Sequence, residues 1–360
     1  MIIDNTSAIV TPRTPRSGRW RVGLAGAGWV THYHLPAWRT QERRAEVVAI
    51  ADPDSTRLAE RCAAHAIPSG YASVEAMLDA EDLDILDIAA PREAHAPLAR
   101  LAAARGLAIL CQKPLATSLS EADALVRAMA PGTRLMVHDN WRFRDTYRRI
   151  RGWLDEGRAG ALRRVELHYV SSGMIAGPDG TRPALVRQPN FASIERLLVM
   201  EVLIHHLDTL RFLLGDLDLV DAQLARSNDA ILGEDIATLT LRRRADGLPV
   251  ELVGDLAMHG APPQASDRLE IVGADATITL DGYELSLVGG SEVRESFDPA
   301  HVYQGSYDSA IAHFLDGLER GTRFETAPAD NLETLALVEA AYGVADRFTA
   351  SPPLRYARRH

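Results

Sequence analysis

At 360 residues the chain is too long for one ordinary core, and two domains are expected. Hydrophobic residues make up 46% and charged residues 24%, the balance of a soluble globular protein, while a formal net charge of -10 argues against a surface built for nucleic-acid phosphates. The only cysteines, Cys62 and Cys111, stand far apart, which excludes a disulfide framework and a Cys-x-x-Cys metal site.

Residues 1–19 carry prolines, threonines and arginines without an apolar block of signal-peptide length, and are expected to form a flexible extension. No run of about 20 apolar residues occurs, so neither a membrane partner nor a membrane span is expected and the address is cytoplasmic by default. From Trp20 the pattern alternates strands with helices. Arg21–Ala25 reads as a buried strand and Trp29–Thr40 as a helix. Ala45–Ala51 is a second strand that closes on Asp52, followed by helices over Asp54–His65 and Val74–Asp79. Strand Leu83–Ala89, helix Ala94–Arg105, strand Leu107–Gln112, helix Ser120–Met129 and strand Arg134–His138 complete a parallel, doubly wound α/β sheet.

The turn Gly26-Ala-Gly28-Trp29-Val30-Thr31 holds the first two positions of a GxGxxG fingerprint, in which one glycine permits the tight turn and the next lets backbone approach a pyrophosphate. Thr31 at the third position is expected to loosen helix–strand packing. Asp52 ends the second strand where a ribose 2'-hydroxyl would be bound, and its charge would repel a 2'-phosphate, which favours NAD over NADP. Arg57 nearby argues the other way, and Asp52-Pro-Asp54 also reads simply as the start of the next helix.

Beyond Trp141 the texture changes to longer strand candidates: 162–171, 220–226, 235–242, 249–258, 268–272, 277–280 and 283–288. An α+β domain on an open, mainly antiparallel sheet is expected. Ala176–Asn190, rich in Pro, Gly and Arg, reads as a mobile loop. Ile194–Leu214 has helical periodicity that would set Glu201, His205, Asp208 and Phe212 on one face, with Leu203, Leu207, Leu210 and Leu214 opposite. Such a polar face is either solvated or catalytic, because an imidazole beside a carboxylate is suited to general-base work near neutral pH. His206 lies on the apolar side and is expected to be a satisfied core histidine. No metal is expected, since the histidine pairs lack a ligand spacing.

Two motifs, Asp87-Ile-Ala-Ala-Pro-Arg-Glu-Ala-His95 and Ile109-Leu-Cys-Gln-Lys-Pro114, resemble those of the glucose-fructose oxidoreductase and inositol dehydrogenase family (Gfo/Idh/MocA). The resemblance continues in Asn140-Trp-Arg-Phe143, in Glu201-Val-Leu-Ile-His-His-Leu-Asp208 and in Pro328 to Tyr342, so it covers nearly everything after residue 19. It implies a Rossmann dinucleotide-binding domain over 20–139 and an α+β substrate-binding and oligomerisation domain over 140–360, assembled as a homodimer or homotetramer through the sheet. It also implies an NAD-dependent oxidoreductase acting on a hydroxyl carbon of a sugar, polyol or sugar acid. Lys113, His205 and Glu201 are the implied catalytic residues. Gly26, Gly28, Trp29, Val30, Asp52, Ala90, Pro91, His95, Gln112 and Lys113 would form the cofactor edge, and Asn140, Arg142 and Asp208 would bind substrate, although Asn140 and Arg142 would equally serve to fix the crossover between domains. Departures are Gln112 for the usual Glu, Ala90 and Arg92 around Pro91, and Glu201 for the usual Asp. An NAD-dependent eliminase that recycles its cofactor and a non-catalytic NAD or sugar sensor are the alternatives.

Overall fold

The computed structural model describes residues 11–290 and 292–349, which fall into two compact units. The first is built on β1 (Trp20–Ala25), α1 (Thr31–Thr40), β2 (Ala45–Ala51), α2 (Ser55–His65), β3 (Ser69–Tyr71), α3 (Val74–Ala80), β4 (Ile85–Ile88), α4 (Arg92–Ala104), β5 (Ala108–Gln112), α5 (Leu119–Ala128) and β6 (Leu135–His138). The six strands are parallel in the order β3-β2-β1-β4-β5-β6. The order reverses between β1 and β4, the switch point outside which such sheets bind ligands. Strands β4, β5 and β6 are buried at every residue, as continuous apolar runs flanked by helices should be. Short polar residues set the helix starts: Asp54 accepts from the amides of Thr56 and Arg57, and Ser73 and Ser118 cap α3 and α5.

The second unit contains α6 (Asp145–Asp155), β7 (Leu162–Val170), α7 (Pro183–Arg187), α8 (Ile204–Leu214), β8 (Leu217–Ala225), β9 (Ile236–Arg243), β10 (Pro249–Asp255), β11 (Ser266–Gly273), β12 (Ala276–Asp281), β13 (Glu284–Gly289) and β14 (Val293–Ser296). Its eight strands run in the order β14-β13-β12-β11-β7-β10-β9-β8 and pair antiparallel except β7 with β10. In β9, β10 and β12 buried residues alternate with half-buried or exposed ones, so one face of the sheet is covered and the other is open.

Three expectations about organisation are corrected. Helix α9 (Pro299–Arg320) and the chain through Glu333 belong to the first unit, not the second, and the division falls inside α10 (Pro328–Thr349). The reason is packing: Tyr307, Ile311, Phe314, Leu315 and Leu318 of α9 share one buried cluster with Trp20, Trp38, Leu110 and Met136. Each large side chain so buried contributes about 1.5–3 kcal/mol. Residues 11–19, expected to be loose, are tied to the same unit: the Arg13 amide donates to Leu318 O at 2.8 Å, Arg16 meets Asp82 and Arg19 meets Glu46. The expectation for residues 1–10 lies outside the described residues. The segment 176–190, read as loop, includes α7, whose proline fits the first turn of a helix.

Candidate active site

In the first unit every expected cofactor residue sits at the carboxyl edge of the parallel sheet. Gly26 follows β1 with φ +107°, and a Cβ there would lie 2.5 Å from Ala89 O, so both the backbone conformation and the approach of the β4 end demand glycine. Gly28 is different. Its φ is not in the left-handed region and a Cβ would meet no protein atom within 4 Å. The fold does not require glycine there, and the open space beside it is what a pyrophosphate at the start of α1 would occupy.

Asp52 organises this turn. Its Oδ2 accepts the Ala27 amide at 2.7 Å and its Oδ1 accepts the Asp54 amide at 2.8 Å, in a nearly buried position. The helix-start role is taken separately by Asp54, whose Oδ2 also receives Arg57 Nε at 2.9 Å. Thr31 does not loosen the packing: it is fully buried, donates its hydroxyl to Gly28 O at 2.6 Å and accepts Arg61 Nε at 2.9 Å. Trp29 is 45% exposed and meets Tyr33 edge-on, while Val30 is half-buried.

His95 joins the ends of two strands. Its buried ring lies with Nδ1 2.6 Å from Pro114 O and Nε2 2.9 Å from Ala90 O, so one imidazole holds the turns after β4 and β5 together. Pro91 stands at the cap of α4. Lys113, half-buried, follows β5 directly and precedes the Pro114 carbonyl that His95 holds. The Gln112 side chain turns inward instead: its amide Nε2 lies 2.8 Å from His34 Nε2 and 3.1 Å from His138 Nδ1. His34 Nδ1 and Trp38 Nε1 in turn reach the same oxygen of Asp87, at 2.8 and 2.7 Å, in a fully buried polar network that pattern reading missed. With Nδ1–H given to Asp87, His34 Nε2 is the acceptor for the Gln112 amide. Gln112 thus closes β5 at the carboxyl edge with its side-chain amide bonded to the two buried histidines.

Asn140 and Arg142 are placed as ties within the first unit. Asn140 Nδ2 donates to Ser306 Oγ at 2.7 Å, and the buried Arg142 donates to Glu325 O at 3.0 Å and to Asp330 at 2.7 Å. Both contacts bind the end of the sheet to the returning segment after residue 299, which the contiguous domain boundary at 139 and 140 had concealed.

In the second unit the helix carrying the remaining candidates is not regular. A π-helix runs over Leu198–Leu203 before α8 begins at Ile204. A π-turn bonds i to i+5 and holds an extra residue, so the 100° spacing that aligned Glu201 with His205 and Asp208 does not run unbroken through this point. Glu201 is half-buried, His205 is 7% exposed and Asp208 is wholly enclosed. The face is therefore largely covered, with Glu201 its half-buried member. Asp208 Oδ1 accepts the Thr334 hydroxyl at 3.4 Å. Thr209 donates its hydroxyl to His205 O at 2.8 Å. His206 is the core histidine expected, with Nε2 2.8 Å from Asp267, whose other oxygen accepts Tyr147 OH at 2.7 Å.

Among the described residues no cluster of His, Cys, Asp and Glu is arranged to hold a metal ion, and no helix is long and apolar enough to cross a membrane. The family described as "Oxidoreductase family, NAD-binding Rossmann fold" matches residues 20–138, and the GFO/IDH/MocA C-terminal domain matches residues 147–279. The chain is 32% identical to a D-apiose dehydrogenase of Paraburkholderia graminis, over 95% of this chain and 92% of that one. It is 26% identical to an inositol 2-dehydrogenase of Rhizobium meliloti, over 89% and 95%. A crystal structure of an oxidoreductase from Agrobacterium radiobacter, in complex with NAD+, L-tartaric acid and magnesium, superimposes with a TM-score of 0.84 at 30% identity, covering 92% of this chain and 97% of that one. The chain belongs to the Gfo/Idh/MocA oxidoreductase family and is an NAD-binding dehydrogenase of that family.

Proposed function

We propose that this dehydrogenase oxidises a secondary or hemiacetal hydroxyl of a free sugar or polyol, with a pentose of the apiose kind as the first candidate. The observation that carries the reading is the convergence of the Gly26–Val30 turn, Asp52, the Ala90–His95 turn and Lys113 at the switch point of one parallel sheet. The two relatives named D-apiose dehydrogenase, each 32% identical, and the tartrate-bound neighbour support a small polyhydroxylated substrate.

NAD fits the residues present. The carboxylate of Asp52 would oppose a 2'-phosphate, and Arg57, the cation that argued for NADP, is paired with Asp54. When bound, NAD supplies the hydride acceptor. Lys113 holds the reacting hydroxyl through its ammonium and favours the alkoxide that develops there. His205 takes the hydroxyl proton, and Glu201 orients the imidazole and stabilises its protonated form. The open face of the eight-stranded sheet, with Val220 and Val288 about half exposed, supports assembly into a homodimer or homotetramer. Two free cysteines support a reducing, cytoplasmic setting.

The direct test is His205→Asn. Turnover with NAD+ and the preferred sugar is expected to fall by at least a factor of 100, the usual yield of a positioned base, while NADH binding is unchanged. Retention of full turnover would remove His205 from the mechanism.

A further inference from the structure

The helix that carries Glu201 and His205 is held at its start by two residues remote in sequence. A helix leaves its first four amides without internal partners. Here those of 197–200 are all met from outside. Glu234 Oε2 accepts Leu197 N at 3.3 Å, Glu234 O accepts Leu198 N at 3.2 Å, Glu234 Oε1 accepts Val199 N at 2.9 Å, and the Tyr342 hydroxyl accepts Met200 N at 3.3 Å. Tyr342 donates that hydroxyl to Glu234 Oε1 at 2.6 Å, which closes the set. The next amide, that of Glu201, makes the first internal bond, to Leu197 O at 2.9 Å.

Three further features keep this clamp in place. Glu234 and Tyr342 are 8% and 7% exposed, so water competes poorly for the bonds. The Arg196 guanidinium lies 4.5 Å over the Tyr342 ring and pairs with Glu339 at 3.0 Å. Gly233 lets the chain come close enough, since a Cβ there would sit 2.7 Å from Ile194 O and 2.8 Å from Glu195 O.

We propose that Glu234 and Tyr342 are positioning residues for the dehydrogenase chemistry: they fix the π-turn over 198–203 and so set the direction of Glu201 relative to His205. The proposal rests on the reading given under Proposed function. A π-turn is the less favoured local geometry, and relaxation to an ordinary helix would drop one residue from the turn and rotate Glu201 by about 100° about the axis. Burial and the partner carboxylate push the Tyr342 hydroxyl above its usual range, in keeping with a proton that stays on the phenol and is donated.

The test uses the full chain with Tyr342→Phe and, separately, Glu234→Gln, which replaces one of the two accepting carboxylate oxygens with an amide donor facing a backbone N–H. Hydrogen exchange of the segment 197–205 is measured without ligand, together with kcat, KM and NADH affinity. Exchange is expected to speed up about tenfold in Tyr342→Phe, and more in Glu234→Gln, while 236–255 is unchanged. The kcat is expected to fall about 10–100-fold, the usual cost of losing a supporting partner, with KM within threefold and NADH affinity intact. Unchanged exchange overturns the proposal, as does faster exchange with wild-type kcat. A wild-type protein that oxidises no sugar or polyol overturns the reading under Proposed function instead, and exchange in the two variants still decides whether the clamp holds the turn.

Discussion

The two glycines of the nucleotide turn offer a paired perturbation with opposite expected outcomes. At Gly26 an alanine must adopt φ +107° with its Cβ 2.5 Å from Ala89 O. Backbone strain of this kind costs about 1–3 kcal/mol, and the overlap with a strand-end carbonyl adds to it. A total near 3 kcal/mol in a unit of this size lowers Tm by roughly 6–12 °C. At Gly28 an alanine meets nothing within 4 Å and needs no left-handed backbone, so Gly28→Ala is expected to leave Tm unchanged or raise it slightly by restricting the unfolded chain. The same Cβ would enter the space assigned to the pyrophosphate and weaken NADH binding by about tenfold or more, which is about 1.4 kcal/mol. Thermal denaturation without ligand and NADH titration by fluorescence separate the two effects. A Gly28→Ala protein that melts early yet binds NADH normally would refute the placement of the cofactor beside that turn.

Other consequences are simpler to read. Burial raises the thiol pKa of Cys111, with Asp87 adding to the effect, whereas Cys62 is only partly covered. An aromatic disulfide reagent should therefore titrate one thiol in the native protein and two in denaturant, and two at once would contradict the packing. Asp87→Ala strands two buried donors, His34 Nδ1 and Trp38 Nε1, and should lower stability by about 1–3 kcal/mol for each, measured by urea unfolding. Arg142→Ala removes the ties to Glu325 O and Asp330; lower stability with unchanged KM is expected, and a raised KM at unchanged stability would return Arg142 to the substrate site.

Strands that are buried runs closed by turn residues were legible almost to the residue: Ala45–Ala51 ends where Asp52-Pro-Asp54 begins. β3, at three residues with a central glycine and no buried side chain, carries no such signal and was missed. The return of α9 to the first unit could not be read from its periodicity, because a helix shows which face is apolar but not which core accepts it. The same limit applied to the site. Lys113 and the glycine turn are local features with local signatures. The π-turn beneath Glu201 is imposed by Glu234 and Tyr342, 33 and 141 positions away, and nothing in the 194–214 pattern announces it. Asp208 matched the polar face by spacing, yet its surroundings enclose it.

The central claim is most directly tested by offering the purified protein NAD+ and, separately, NADP+ with D-apiose, other pentoses, inositols and sugar acids, and following formation of the reduced nicotinamide. The account predicts turnover with NAD+ on a sugar or polyol, and little with NADP+. Binding of NADH without oxidation of any member of the panel would contradict it.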